Sequence, residues 1–156
     1  MTLLKTILFL CLVPGLLLGY LPYRVAAADV ELFAPGVLAW LAFPFWLLGG
    51  AGVLWCVWNF LFYGKGTPAP IDPPRKLVTV GLYRFVRNPM YVSAIVALLG
   101  WSLWSPSVPL LAAPFLFFTA AHLFVTGYEE PTLKKKFGAV YEDYCRLVPR
   151  WIPKLK

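Results

Sequence analysis

Four long apolar stretches separated by short polar ones set the pattern of this chain, and that pattern predicts helices. Leu3 to Leu21 is a run of 19 residues with Lys5 at its start and a Pro14-Gly15 step inside, about long enough to span a bilayer. Val37 to Tyr63 runs for 27 residues. As a helix it reaches about 40 Å, more than the roughly 30 Å hydrocarbon core, so it tilts or begins in the interface, with Pro44 the candidate for a kink. Pro89 to Trp104 makes a third helix of about 24 Å, short for a full span. Asn88 reads as its N-cap, with a proline at the first helical position. Leu110 to Thr126 makes the fourth helix. The tight turn Ser105-Pro-Ser-Val-Pro109 folds helices three and four into a close antiparallel hairpin.

The polar stretches are equally patterned. Arg24 to Pro35 is a short loop. Gly64 to Val80 carries Pro68, Pro70, Pro73 and Pro74, so it forms neither a helix nor a central strand. Gly127-Tyr-Glu-Glu-Pro131 is where the chain is expected to leave the bilayer. Beyond it Leu133, Phe137, Val140, Tyr141 and Tyr144 repeat at helical spacing, while Lys134 to Lys136, Glu142 and Asp143 take the other side. That predicts an amphipathic helix lying on the membrane surface. The proline-rich tail Val148 to Pro153 ends it. A rival reading touches the first stretch: Val25-Ala-Ala-Ala28 resembles the small-residue cleavage site of a signal peptide. A retained first helix is the reading adopted.

Composition places this pattern in a membrane. Of 156 residues, 60% are hydrophobic and 13% charged, against about 25% charged in soluble domains. The expectation is an all-α polytopic membrane protein of one domain, with four transmembrane helices and a C-terminal amphipathic surface helix. Residues 1–63 supply the two N-terminal helices and 64–156 the functional core. Cys11, Cys56 and Cys145 are scattered, which points to neither a disulfide framework nor a metal site. The net charge of +7 does not imply nucleic acid, because the positive residues cluster beside hydrophobic segments. Of 14 Lys and Arg, one precedes helix one, five lie between helices two and three, and seven follow helix four. Only Arg24 is in the first loop, so both termini and the long loop are expected on the cytoplasmic side.

Chemistry concentrates at two places. Gly81-Leu-Tyr83-Arg84-Phe-Val-Arg87-Asn88-Pro89-Met-Tyr91 enters helix three, and Glu129-Glu130 leaves helix four. A tight hairpin brings these ends together. Arg84 and Arg87 can be read as head-group anchors, and the two glutamates as favourable charges before a helix starting at Pro131. Alternatively the clusters form a pocket for a small zwitterion. Arginine or open N–H groups at a helix start suit its carboxylate, and paired glutamates its ammonium, a ribose diol or a sulfonium. His122, the single histidine, is seven residues before Glu129 and shares its face. It reads either as a histidine hydrogen-bonded between helices or as a group lining the path from bilayer to pocket.

Taken together, Gly64-x-Gly66, Gly81-Leu-Tyr83-Arg84-x-x-Arg87-Asn88-Pro89-x-Tyr91, Glu129-Glu130 and Tyr141-x-x-Tyr144-x-x-x-Val148-Pro149 resemble the membrane methyltransferases. That family includes isoprenylcysteine carboxyl methyltransferase and the phosphatidylethanolamine N-methyltransferases. The resemblance covers about Gly64 to Pro153. It implies S-adenosylmethionine as methyl donor, bound from the cytosol in a pocket capped by the C-terminal segment, with S-adenosylhomocysteine as product. Carried over by position, Tyr83, Arg87, Asn88, Pro89, Tyr91, Glu129 and Glu130 would contact the cofactor, with Gly64 and Gly66 allowing close backbone approach. Arg87, Glu130 and His122 are the candidate catalytic residues. Where many relatives have histidine, this chain has Asn88, which keeps a hydrogen-bonding group without a titratable one. The implied acceptor is a lipid or lipidated molecule entering from the bilayer, which in a bacterium would be the inner membrane. Two other readings compete: an NADPH-dependent reductase of the sterol-reductase type, and a non-enzymatic membrane scaffold.

Overall fold

The computed structural model describes residues 8, 10–28, 32–34, 36–64 and 75–153, and among them every regular element is helical. Among the described residues, three helices are long and apolar enough to cross a membrane: α1 (Cys11–Ala28), α2 (Gly36–Gly64) and α4 (Val108–Phe137). Between the last two lies the shorter apolar helix α3 (Pro89–Trp104), and α5 (Ala139–Leu147) follows α4. A one-turn 3₁₀ segment, Gly81–Arg84, precedes α3. Lys5, Lys65, Gly66 and the prolines at 68–74 lie outside the described residues.

Proline shapes α1. Its first ten residues, Cys11–Tyr20, are wound wide around Pro14, and Leu21 N–H donates to Leu16 O, five residues back. A proline that cannot donate is absorbed by such a widened turn. The same device changes α4. The sequence pattern ends the fourth helix at Thr126, but the helix continues to Phe137 through the wide turn Val125–Glu129, where Glu130 N–H donates to Val125 O. The widening just before Pro131 accommodates the residue that lacks a donor, so the chain does not leave the helix there.

The break comes instead at Gly138, whose φ of 54° is a left-handed value that suits glycine. The expected single amphipathic helix is therefore split. Its first half extends α4 and its second half is α5. Tyr141, Tyr144 and Val148 form a buried cluster against Leu77, Leu133, Phe137 and Cys145, whereas Val140, expected on the apolar face, is 66% exposed.

Helices α2 and α3 pack backbone to backbone through small residues. A Cβ on Gly49 would stand 2.6 Å from Ala97 N and 2.7 Å from Ser93 O. Small residues that let backbones approach are what hold helices together where lipid removes the hydrophobic drive. Ser93 Oγ returns its donor to Pro89 O at 2.8 Å. Gly81 (φ 61°) makes a second close approach, because a Cβ there would meet the side chains of Asn59 and Trp55. Three residues, 105–107, connect α3 to α4, and Ser102 Oγ on α3 donates to Leu110 O on α4 at 2.6 Å. At that end Trp101 Nε1 donates to Leu18 O at 2.7 Å, tying α1 to α3.

Candidate functional site

The start of α3 and the tail of the chain are joined backbone to backbone. Arg87 N–H donates to the Pro149 carbonyl at 2.8 Å. Asn88 occupies the N-cap position of α3, but its side chain makes no capping bond. Its Nδ2 donates instead to the Arg150 carbonyl at 3.1 Å. The side chain expected to cap a helix therefore fastens the tail.

Helix α4 brings two carboxylates to this junction. Glu130 receives Arg150 through two bonds, Nε to Oε1 at 2.7 Å and Nη2 to Oε2 at 2.9 Å. The two-pronged match of guanidinium and carboxylate is the strong form of this pair, and it raises the Arg150 pKa. Arg87 Nη1 stands 3.1 Å from the same Oε1, with the Arg87 and Glu130 side chains only 13% and 20% exposed. Charges this buried persist because each is paired. Glu129 accepts the Tyr91 hydroxyl at 2.9 Å, which ties the first turn of α3 to the far part of α4. Arg87 also donates to Cys145 Sγ at 2.8 Å, while its Nε is buried and has no partner among the described residues.

The tail continues over α4. The Trp151 indole N–H donates to His122 Nδ1 at 3.1 Å, which assigns the remaining ring proton to Nε2. The Trp151 ring lies 5.1 Å from Phe118 and 6.3 Å from Tyr91 by centroid. On the other flank, Tyr144 OH donates to Tyr83 O at 2.7 Å. Burial pushes the phenols of Tyr83, Tyr141 and Tyr144 up, so they remain protonated donors.

A cavity of about 440 Å³ lies against this cluster, within the roughly 300–1,000 Å³ of small-molecule sites. Its polar wall includes Tyr83, Arg87, Asn88, Tyr91, Glu129 and Glu130; Val13, Leu17, Leu18, Val53, Phe117 and Phe124 line an apolar part. Six of the residues singled out from sequence thus share one cavity. The others fall elsewhere. Pro89 is buried at the first position of α3 and does not line the cavity. Gly64 is buried at the end of α2, its carbonyl accepting from Arg75 N at 2.8 Å, and Gly66 lies outside the described residues. His122 is bound to Trp151 and is not part of the cavity lining. Arg84 is exposed, consistent with an anchor.

Sequence reasoning missed Arg150 and Trp151 as site residues. The available signal was an arginine and a tryptophan between Pro149 and Pro153, where no helix can continue and a side chain must find its partner through tertiary contact. It also missed the contribution of α1, because Val13 and Leu17 are indistinguishable from any lipid-facing residue.

A family model described as phospholipid methyltransferase matches residues 37–140. The nickel-cobalt-cadmium resistance protein NccN of Alcaligenes xylosoxydans xylosoxydans is 31% identical over 67% of this chain and 44% of its own length. Methanethiol S-methyltransferase 2 of Bradyrhizobium diazoefficiens is 36% identical over 47% of this chain and 27% of its own. A Delta(14)-sterol reductase of Mus musculus is 33% identical over 54% and 21% respectively. The chain therefore spans less than half the length of these three relatives. No solved structure matches it.

Proposed function

This chain belongs to the phospholipid methyltransferase family, and from that premise we propose that it transfers a methyl group from S-adenosylmethionine to a membrane-embedded acceptor. Family membership and three apolar helices make it an integral membrane protein. The observation that carries the proposal is a cavity that has both a charged wall and an apolar part. A water-soluble zwitterion and an apolar acceptor can meet inside it.

The residues present fit the donor. Arg87 has a buried Nε without a partner among the described residues, which suits the donor's carboxylate. Glu129 is engaged through Oε1 by Tyr91, leaving a carboxylate oxygen for an ammonium or a ribose hydroxyl. When bound, the donor supplies an electrophilic methyl carbon on a sulfonium. The protein's own work is positioning and the exclusion of water. Tyr91 holds Glu129, and Asn88 and Arg150 hold the tail over the pocket. Both Glu130 oxygens are taken by arginine, so we assign Glu130 a positioning role and Glu129 the role of nearest proton acceptor. We assign His122 to positioning Trp151. We assign Gly64 to closing α2, where its carbonyl accepts from Arg75 N.

In this reading the single domain crosses the bilayer four times. Helices α3 and α4 form an antiparallel hairpin, and both termini and the pocket mouth lie in the cytoplasm, a reading supported by the placement of Lys and Arg. Calorimetric titration with S-adenosylhomocysteine tests the donor site. Wild type should bind it, and Glu129→Gln should bind about tenfold more weakly, the cost of one charged hydrogen bond. A wild type that does not bind sinks the proposal. The likeness to a sterol reductase supports a second reading, with NADPH in the cavity. Thermal stabilisation by NADPH and not by S-adenosylmethionine would favour it.

A further inference from the structure

We infer that the methyl acceptor is an apolar thiol or amine that carries no anionic group, rather than a phosphodiester lipid or a carboxylate. The inference rests on the methyl-transfer reading above and names the acceptor class for that site. Among the described residues, the charged side chains in the cavity lining are Arg87, Glu129 and Glu130. Arg87 is paired with Glu130, and the neighbouring Arg150 closes on the same carboxylate through two bonds. Both cations are thus committed before an acceptor arrives, and the remaining Arg87 donor faces the methyl donor's carboxylate in this assignment.

What remains for the acceptor is a largely apolar lining that includes Val13, Leu17, Leu18, Val53, Phe117 and Phe124. A phosphate or carboxylate drawn along that wall leaves water and meets no free cation among the described residues, which is the costly way to bury a charge. A thiol on an apolar body meets no such penalty, and an amine that arrives as its ammonium finds the Glu129 carboxylate in the cavity lining. The nearest charged group on its path is then Glu129, held by Tyr91, and the tyrosines of the polar wall present faces suited to a cation.

The transfer balances with either nucleophile. The new bond runs from the acceptor's lone pair to the methyl carbon, and the methyl–sulfonium bond breaks with its electron pair staying on sulfur. A thiol's proton passes to the Glu129 carboxylate. An amine that arrives as its ammonium first gives one proton to the Glu129 carboxylate; the neutral amine then attacks and leaves as the methylammonium.

A series of equal chain length tests this: octanethiol, octylamine, octanoate and octyl phosphate, added to the full chain in micelles saturated with S-adenosylhomocysteine. Octanethiol and octylamine should raise the unfolding temperature, with apparent affinities about tenfold or more above those of the two anions. With labelled S-adenosylmethionine, the same two should become methylated. Leu17→Trp, which fills part of the apolar wall, should remove the octanethiol shift while S-adenosylhomocysteine still binds. Equal or stronger binding of octanoate or octyl phosphate overturns the inference, as does a lack of response to both octanethiol and octylamine, or a full octanethiol response in Leu17→Trp. Failure of S-adenosylhomocysteine to bind wild type would instead defeat the donor site itself, so the two failures are distinguishable.

Discussion

Arg150 and Trp151 show how much of the site depends on two side chains in an irregular tail. Arg150 closes on Glu130 with two hydrogen bonds while 35% exposed. Replacing it with alanine leaves Glu130 to Arg87 alone. Unfolding in micelles should show a loss of about 1–2 kcal/mol, below the 3–5 typical of a fully buried pair because water screens this one. Proteolysis near the C-terminus should accelerate in the same variant. Trp151→Phe keeps the ring against Phe118 but removes the N–H that His122 accepts. It should cost about 1 kcal/mol, and His122→Phe should give a similar loss without adding to it, since both remove one bond. Additive losses in the double variant would show that the two residues act separately.

At the level of the elements, glycine decides where helices touch and where one ends. Gly49 and Gly50 are neighbours in α2, yet a Cβ on Gly49 would strike the α3 backbone and one on Gly50 meets nothing within 4 Å. Gly49→Leu should therefore abolish recovery of folded protein, while Gly50→Ala should be neutral or slightly stabilising through better helix propensity. Expression followed by size-exclusion chromatography separates the two. Gly138 poses the opposite case. A Cβ there has open space, but its φ of 54° is strained for any residue with a side chain. Gly138→Ala should cost about 1 kcal/mol in thermal unfolding. It should also loosen α5 from the cavity, because Tyr141 and Tyr144 reach the lining from beyond that turn.

For the whole molecule, orientation in the bilayer is the property that the proposed reaction needs. In the proposed arrangement the pocket mouth and both termini face the cytoplasm, the side on which the positive side chains would cluster. Cysteine placed at Ile152, 81% exposed in the tail, should be labelled by an impermeant reagent only from that side. Cysteine at Phe33, 56% exposed between α1 and α2, should be labelled only from the other. Labelling of both positions from one side would reject the arrangement. The proposed hairpin of α3 and α4 is what would bring Tyr91 and Glu129 to the same side as the tail.

The sequence by itself determined that the protein is helical and membrane-bound, and it placed the starts of α2, α3 and α4 within two residues while missing that α1 runs on to Ala28. Those properties follow from hydrophobic run length, from the cost of charge in lipid and from proline's missing donor, all of which act locally. It was less able to say where α4 ends. A wide turn can carry a helix through Pro131, and that choice depends on Tyr91 and the arginines already waiting for Glu129 and Glu130. The pairing of Glu130 with Arg150, the use of Asn88 as a tail fastener instead of a cap, and the apolar wall supplied by α1 were decided by tertiary structure alone. Each joins residues far apart in the chain, and the partner of a hydrogen bond or the lining of a cavity is a property of three-dimensional proximity that no local spacing encodes.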